Sequence, residues 1–109
     1  IHSSRVRQVQ RLAEFKAAEV PADEPLLVAG DFNDWGERLD KPMAALGLTR
    51  AAPARGQPKP LTFPSRVPVF SLDRFYLRGF RCLGLSAPRG TTWSRMSDHL
   101  PLVAELELA

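Results

Sequence analysis

Apolar residues recur at three-to-four-residue spacing from Val6 through Val9, Leu12, Ala13 and Ala17, predicting a first helix with Ser3 or Ser4 as its cap and an end by Pro21. After the short loop Pro21–Pro25, the continuous apolar run Leu26 to Gly30 reads as a central strand buried on both faces. Asp40 is placed to cap a short helix, with Pro42 in its first turn and Gly47 at its end, and Leu48 to Ala51 as a short strand behind it. Five prolines between 53 and 68 predict irregular loop with at most a brief strand around Leu61 to Phe63. Val69 to Leu77 is β-prone, Arg81 to Leu85 is a weaker strand candidate, and Ser86 to Ser97 reads as loop. At the end, Leu102, Ala104, Leu106 and Leu108 alternate with Val103, Glu105 and Glu107, the period of a strand with one apolar face.

Helix followed by buried strand predicts an α/β class. A chain of 109 residues, 44% hydrophobic and 25% charged, is expected to form a single domain over residues 1–109. No apolar run approaches bilayer length, so no transmembrane segment is expected. The first residues lack the apolar centre of a secretory signal, and the cytoplasm is the favoured compartment. The single cysteine, Cys82, excludes an intramolecular disulfide and a cysteine-rich zinc site.

Charge changes the picture more than composition does. The net charge is only +3, but from Arg50 to Arg95 nine basic residues face one acid, Asp73. Such a segment would attract a phosphate-rich partner, and its arginines suit two-pronged phosphate binding, while the plain alternative is a solvated Arg-rich surface.

Candidate chemistry sits where strands stop. Gly30 permits a tight path, after which Asp31 and Asn33 can project from the strand end and coordinate Mg²⁺ through hard oxygens or orient a water. The same pattern also makes ordinary turns. Asp98 and His99 precede the last strand, where His99 can hydrogen-bond a phosphoryl oxygen and Asp98 can bind metal or hold an imidazole. Ser97-Asp98-His99 is no serine triad, because adjacent strand residues point opposite ways. Asp73 is either functional or paired with Arg74 or Arg78.

In order, Gly30-Asp31-Phe32-Asn33, Thr62-Phe63-Pro64-Ser65, Leu72-Asp73-Arg74-Phe75 and Ser97-Asp98-His99-Leu100-Pro101 resemble the endonuclease/exonuclease/phosphatase superfamily. That superfamily includes exonuclease III-type and DNase I-like nucleases, sphingomyelinases and inositol-polyphosphate phosphatases. The helix with Arg5, Gln8 and Leu12 is similar to the one that precedes its Gly-Asp-Phe-Asn strand, and the closest flavour is the bacterial, generically annotated branch.

The resemblance implies the C-terminal half of a DNase I-like four-layer α/β sandwich, mostly antiparallel. It implies in-line water attack on a phosphoester with Mg²⁺ or Mn²⁺ as cofactor. Asp31, Asn33, Asp73 and His99 would be catalytic: Asp31 orienting water, Asn33 binding phosphate or metal, Asp73 supporting the histidine and His99 contacting the scissile phosphate. Asp98, Asp31 and Asn33 would serve the metal, and Arg66 and Arg74 are phosphate contacts on local charge.

The family's metal-binding Glu and early Asn have no counterpart here. The chain alone is therefore expected to be inactive or nearly so, and to expose an apolar sheet face, a surface on which a homodimer is one option. Partners would be a phosphoester substrate, a nucleic acid or a phospholipid head group. The alternative is a non-catalytic phosphate- or nucleic-acid-binding module.

Overall fold

A computed structural model describes residues 2–32 and 38–109. Helix α1 (His2–Glu19) leads through the Pro21–Pro25 loop into strand β1 (Leu26–Asp31). Because α1 already includes His2, Ser3 and Ser4 lie within its first turn rather than at a cap. Val9, Leu12, Ala13 and Lys16 form its inward stripe, at the spacing that brings residues onto one face.

Helix α2 (Asp40–Ala45) begins one residue earlier than the sequence suggests, with Leu39 in the cap position and Asp40 as its first residue. It ends in a Schellman motif: Gly47 N–H bonds the Ala44 carbonyl at 2.9 Å and Leu48 N–H the Met43 carbonyl at 3.1 Å. Gly47 adopts φ 78°, the left-handed conformation that such an ending requires. The chain then enters β2 (Thr49–Arg50), shorter than the expected Leu48–Ala51.

Strand β3 (Asp73–Arg78) is central, pairing antiparallel with β1 on one side and β2 on the other. On one face of this sheet, Tyr76 meets Val9, Leu39, Met43 and Leu48, with Leu26, Val28 and Phe32 packed around them. The Tyr76 hydroxyl donates to Asp40 Oδ1 at 2.6 Å and accepts from Arg74 Nη1 at 3.3 Å. Burial first, and then the bond to Asp40, push its pKa up to about 12, so the phenol stays neutral in all ordinary buffers.

The opposite face corrects one expectation. β1 is a half-exposed edge strand of this sheet rather than a central one, with Leu27 44% exposed. The helices cover only the Leu26 and Val28 side, and a continuous apolar run cannot reveal from sequence which of its faces is covered.

Gly79, at φ 79°, separates β3 from β4 (Phe80–Ser86), which pairs with β5 (Val103–Leu108) in a second antiparallel sheet bulged between Cys82 and Gly84. A Cβ at Gly79 would lie 3.2 Å from Pro25 Cα. Gly79→Ala combines a left-handed backbone with that contact, and is expected to lower unfolding stability by about 2 kcal/mol. Urea denaturation followed by circular dichroism checks it.

Residues 86–97 hold one surprise for a stretch read as loop: Thr91–Met96 form a short helix, α3, with no buried residue. Lacking an apolar stripe, it carries no periodic signal. The brief strand expected at Leu61 to Phe63 is a single bridge between Phe63 and Phe70. Among the described residues all strand pairings are antiparallel and helices cover one face of the larger sheet, the mixed α/β arrangement that the resemblance implies. No helix among the described residues is long and apolar enough to cross a membrane.

Candidate active site

Side chains alternate across a strand, so the sheet face away from the helices receives Leu27, Ala29 and Asp31 from β1, and Asp73 and Phe75 from β3. Asp31 and Asp73 are cross-strand partners in the β1–β3 register, which sets two carboxylates side by side at one end of the sheet. The loop before β5 supplies the third group, since Leu100 N–H bonds the Thr62 carbonyl at 2.7 Å and Ser65 N–H the Asp98 carbonyl at 2.7 Å. These two bonds fix His99 between the 62–65 loop and the carboxylates.

The result is a row of four side chains, of which Thr62, Asp73 and His99 are hydrogen-bonded and Asp31 stands at ion-pair distance. Thr62 Oγ1 donates to Asp73 Oδ2 at 2.6 Å, and His99 Nδ1 lies 2.6 Å from the same oxygen. On the other side of the ring, His99 Nε2 is 3.5 Å from Asp31 Oδ2. The Phe63 ring stands 4.8 Å from the imidazole, tilted by 45°. The Asp73 bond places a proton on Nδ1 and directs Nε2 toward Asp31 and solvent. Asp31, Asp73 and His99 each offer one ligand atom within 4.8 Å of the others, so they can hold a metal ion.

Burial alone would lower the His99 pKa. The hydrogen bond that Nδ1 donates to Asp73, the charge of Asp73 and the charges of Asp31 and Asp98 outweigh it, and the net result lies above 6.5. A histidine raised on folding contributes stability that is complete below its unfolded value of 6.5 and is lost as pH climbs through the higher folded value. An NMR titration of the His99 ring is expected to show a midpoint above 6.5 that falls in Asp73→Asn, where only burial and the weaker charges remain. A midpoint unmoved by that substitution contradicts the assignment.

The other sequence-derived candidates are distributed differently. Asn33 lies outside the described residues. Asp98 is exposed, its Oδ1 3.5 Å from Ser97 Oγ, next to the three-residue cluster but not within it. Arg66 is exposed and lies outside the three-residue cluster. Arg74, expected at substrate phosphate, is instead buried, with 2% exposure. Its Nε donates to the Ser71 carbonyl at 3.2 Å and its Nη1 to Tyr76. Strand alternation sends it to the face opposite Asp73, so a salt bridge between the two does not form.

Thr62 and Phe63 hold the site together, a role the sequence reading did not assign them. The available signal was a β-branched and an aromatic residue at the one β-prone spot in a proline-rich loop.

The model of the Endonuclease/Exonuclease/phosphatase family matches residues 2–99. The uncharacterized protein YbhP of Escherichia coli strain K12 is 41% identical over 106 residues, which is 95% of this chain and 41% of that protein. The same figures hold for YbhP of Escherichia coli O6:H1 strain CFT073 and of Shigella flexneri. The chain thus spans about two fifths of the length of these relatives. No solved structure matches it.

Proposed function

Because the chain belongs to the endonuclease/exonuclease/phosphatase family, we propose that its site works in metal-dependent hydrolysis of a phosphoester by in-line attack of water. The observation that carries this reading is the Thr62–Asp73–His99–Asp31 chain, an oriented imidazole facing an exposed carboxylate.

The donor set fits a hard divalent cation. Two carboxylates stand at the rim, and Asp73 Oδ2 is already engaged by Thr62 and His99, which leaves Asp31 as the principal donor of the cluster. Asp31, with Asp98 and Asn33 proposed beside it, would hold Mg²⁺ or Mn²⁺, which when bound supplies positive charge against the phosphoryl oxygens. Asp31 also orients the attacking water. His99, its pKa raised by its carboxylate neighbours, donates in its protonated form from Nε2 to a phosphoryl oxygen and stabilises the charge of the pentacovalent transition state. Asp73 holds the productive tautomer, and Thr62 holds Asp73. As the new bond from water to phosphorus forms, the attacking water releases a proton to solvent, and the ester oxygen departs with its electron pair and takes up a proton from solvent.

The test uses a protein of the relatives' full length that carries this chain, assayed on bis(4-nitrophenyl) phosphate. Hydrolysis is expected with Mg²⁺ or Mn²⁺ and none in EDTA, and the 109-residue chain alone is expected to be nearly inactive. Exposed Arg55, Arg66, Arg89 and Arg95 favour a second reading, a module that binds nucleic acid or another phosphate without chemistry. It prevails if the longer protein hydrolyses nothing while the chain binds DNA with a steep salt dependence.

A further inference from the structure

The basic middle of the chain divides once its arginines are followed to their partners. Arg50 pairs with Asp40 at 3.4 Å, Arg74 is buried, Arg78 donates to the Pro21 and Glu24 carbonyls, and Arg81 pairs with Glu107. These four hold the fold. Arg66 and Arg95 do not: both are exposed, and no ion pair or hydrogen bond ties either side chain to another described residue.

Although 29 positions apart in sequence, the two arginines line one open cleft of about 390 Å³, together with Ser65, Ser94, Ser97 and Asp98. The walls of the cleft are tied to each other, since Ser65 Oγ donates to the Ser97 carbonyl at 2.7 Å and Ser65 N–H to the Asp98 carbonyl at 2.7 Å. Ser65 is itself buried. The cleft also abuts the site, because Ser97 stands two residues before His99, a backbone span of at most about 7 Å. Asp98, which precedes His99 in sequence, is the one acid of the cleft lining, and the two arginines are its cations.

We propose that this cleft receives a second phosphate of the substrate, next to the one facing His99, and that the substrate is accordingly a nucleic acid strand rather than a molecule with a single phosphate. This rests on the hydrolase reading for which phosphate lies at His99, but the cleft is tested by binding alone. Two guanidiniums with serine hydroxyls between them provide forked, charge-assisted donors for phosphate oxygens.

The experiment is an NMR titration in EDTA, where nothing is cleaved, of the full-length protein with dithymidine, which has one phosphodiester, and trithymidine, which has two. The trinucleotide is expected to bind about tenfold more tightly, a preference that falls with salt and drops below about twofold in Arg66→Ala/Arg95→Ala. Arg95→Lys is expected to retain part of it, which a merely structural loss would not allow. Equal binding of the two ligands, a preference that survives the double substitution, or a stronger response to inorganic pyrophosphate than to trithymidine overturns the proposal. A protein that shows the preference yet hydrolyses no phosphodiester with Mg²⁺ or Mn²⁺ refutes the hydrolase reading and leaves the cleft assignment standing.

Discussion

His99→Ala in the full-length protein is expected to lower kcat on a phosphodiester by about two to four orders of magnitude, the usual contribution of a positioned acid–base group. The magnitude follows from where the imidazole is held: its Nδ1 is committed to Asp73 at 2.6 Å, so only Nε2 is available to a substrate oxygen. Alanine removes that donor and also leaves the Asp73 carboxylate with Thr62 as its remaining strong partner. KM is expected to change much less than kcat, because the interaction is made chiefly as charge develops at phosphorus. With its side chain 23% exposed, His99 is not a pillar of the core, and near-wild-type thermal unfolding should accompany the kinetic loss. Steady-state kinetics with a melting curve on the same sample decide the matter. A tenfold or smaller fall in kcat would remove His99 from the chemistry.

Tyr76→Ala has the largest expected effect on stability, about 3–5 kcal/mol, the range for deleting a buried aromatic ring. Tyr76 is fully buried, its ring meets Phe32 edge-on with centroids 5.0 Å apart, and its hydroxyl joins Asp40 on α2 to Arg74 on β3. Removing it opens a cavity and deprives a buried guanidinium of one of its partners. Since a domain is typically stable by only about 5–15 kcal/mol, this variant approaches the limit of folding. Tyr76→Phe retains the ring and isolates the polar part, for which about 1–2 kcal/mol is expected. Chemical denaturation of both variants separates cavity from network, and a Tyr76→Phe variant as unstable as Tyr76→Ala would refute the division.

Much of this was legible in the sequence because the relevant signals are local. The Pro42 and Gly47 pair marked α2 to within a residue or so, since the left-handed ending is a property of glycine itself. Alternation marked β5 because one face carries Glu105 and Glu107. The association of Asp31, Asp73 and His99 was anticipated from ordered motifs, but the agent that assembles them was not. Thr62 reaches Asp73 across 11 positions, and neither periodicity nor propensity encodes a contact of that kind. Arg74 was misread for a different reason: charge alone does not report which face of a strand a residue takes, and its neighbour Asp73 occupies the other. The exposed side of β1 was equally silent, because an apolar run is the same whether one or both of its faces are covered.

The consecutive pair Asp73 and Arg74 has an evolutionary consequence. One residue inserted into or deleted from β3 just after them would turn the carboxylate into the helical core and the guanidinium toward the imidazole, so a single indel would damage packing and chemistry at once. Length variation among descendants of this sequence should therefore concentrate in the proline-rich connection between 53 and 60, well upstream of that strand, and be purged from the strand itself.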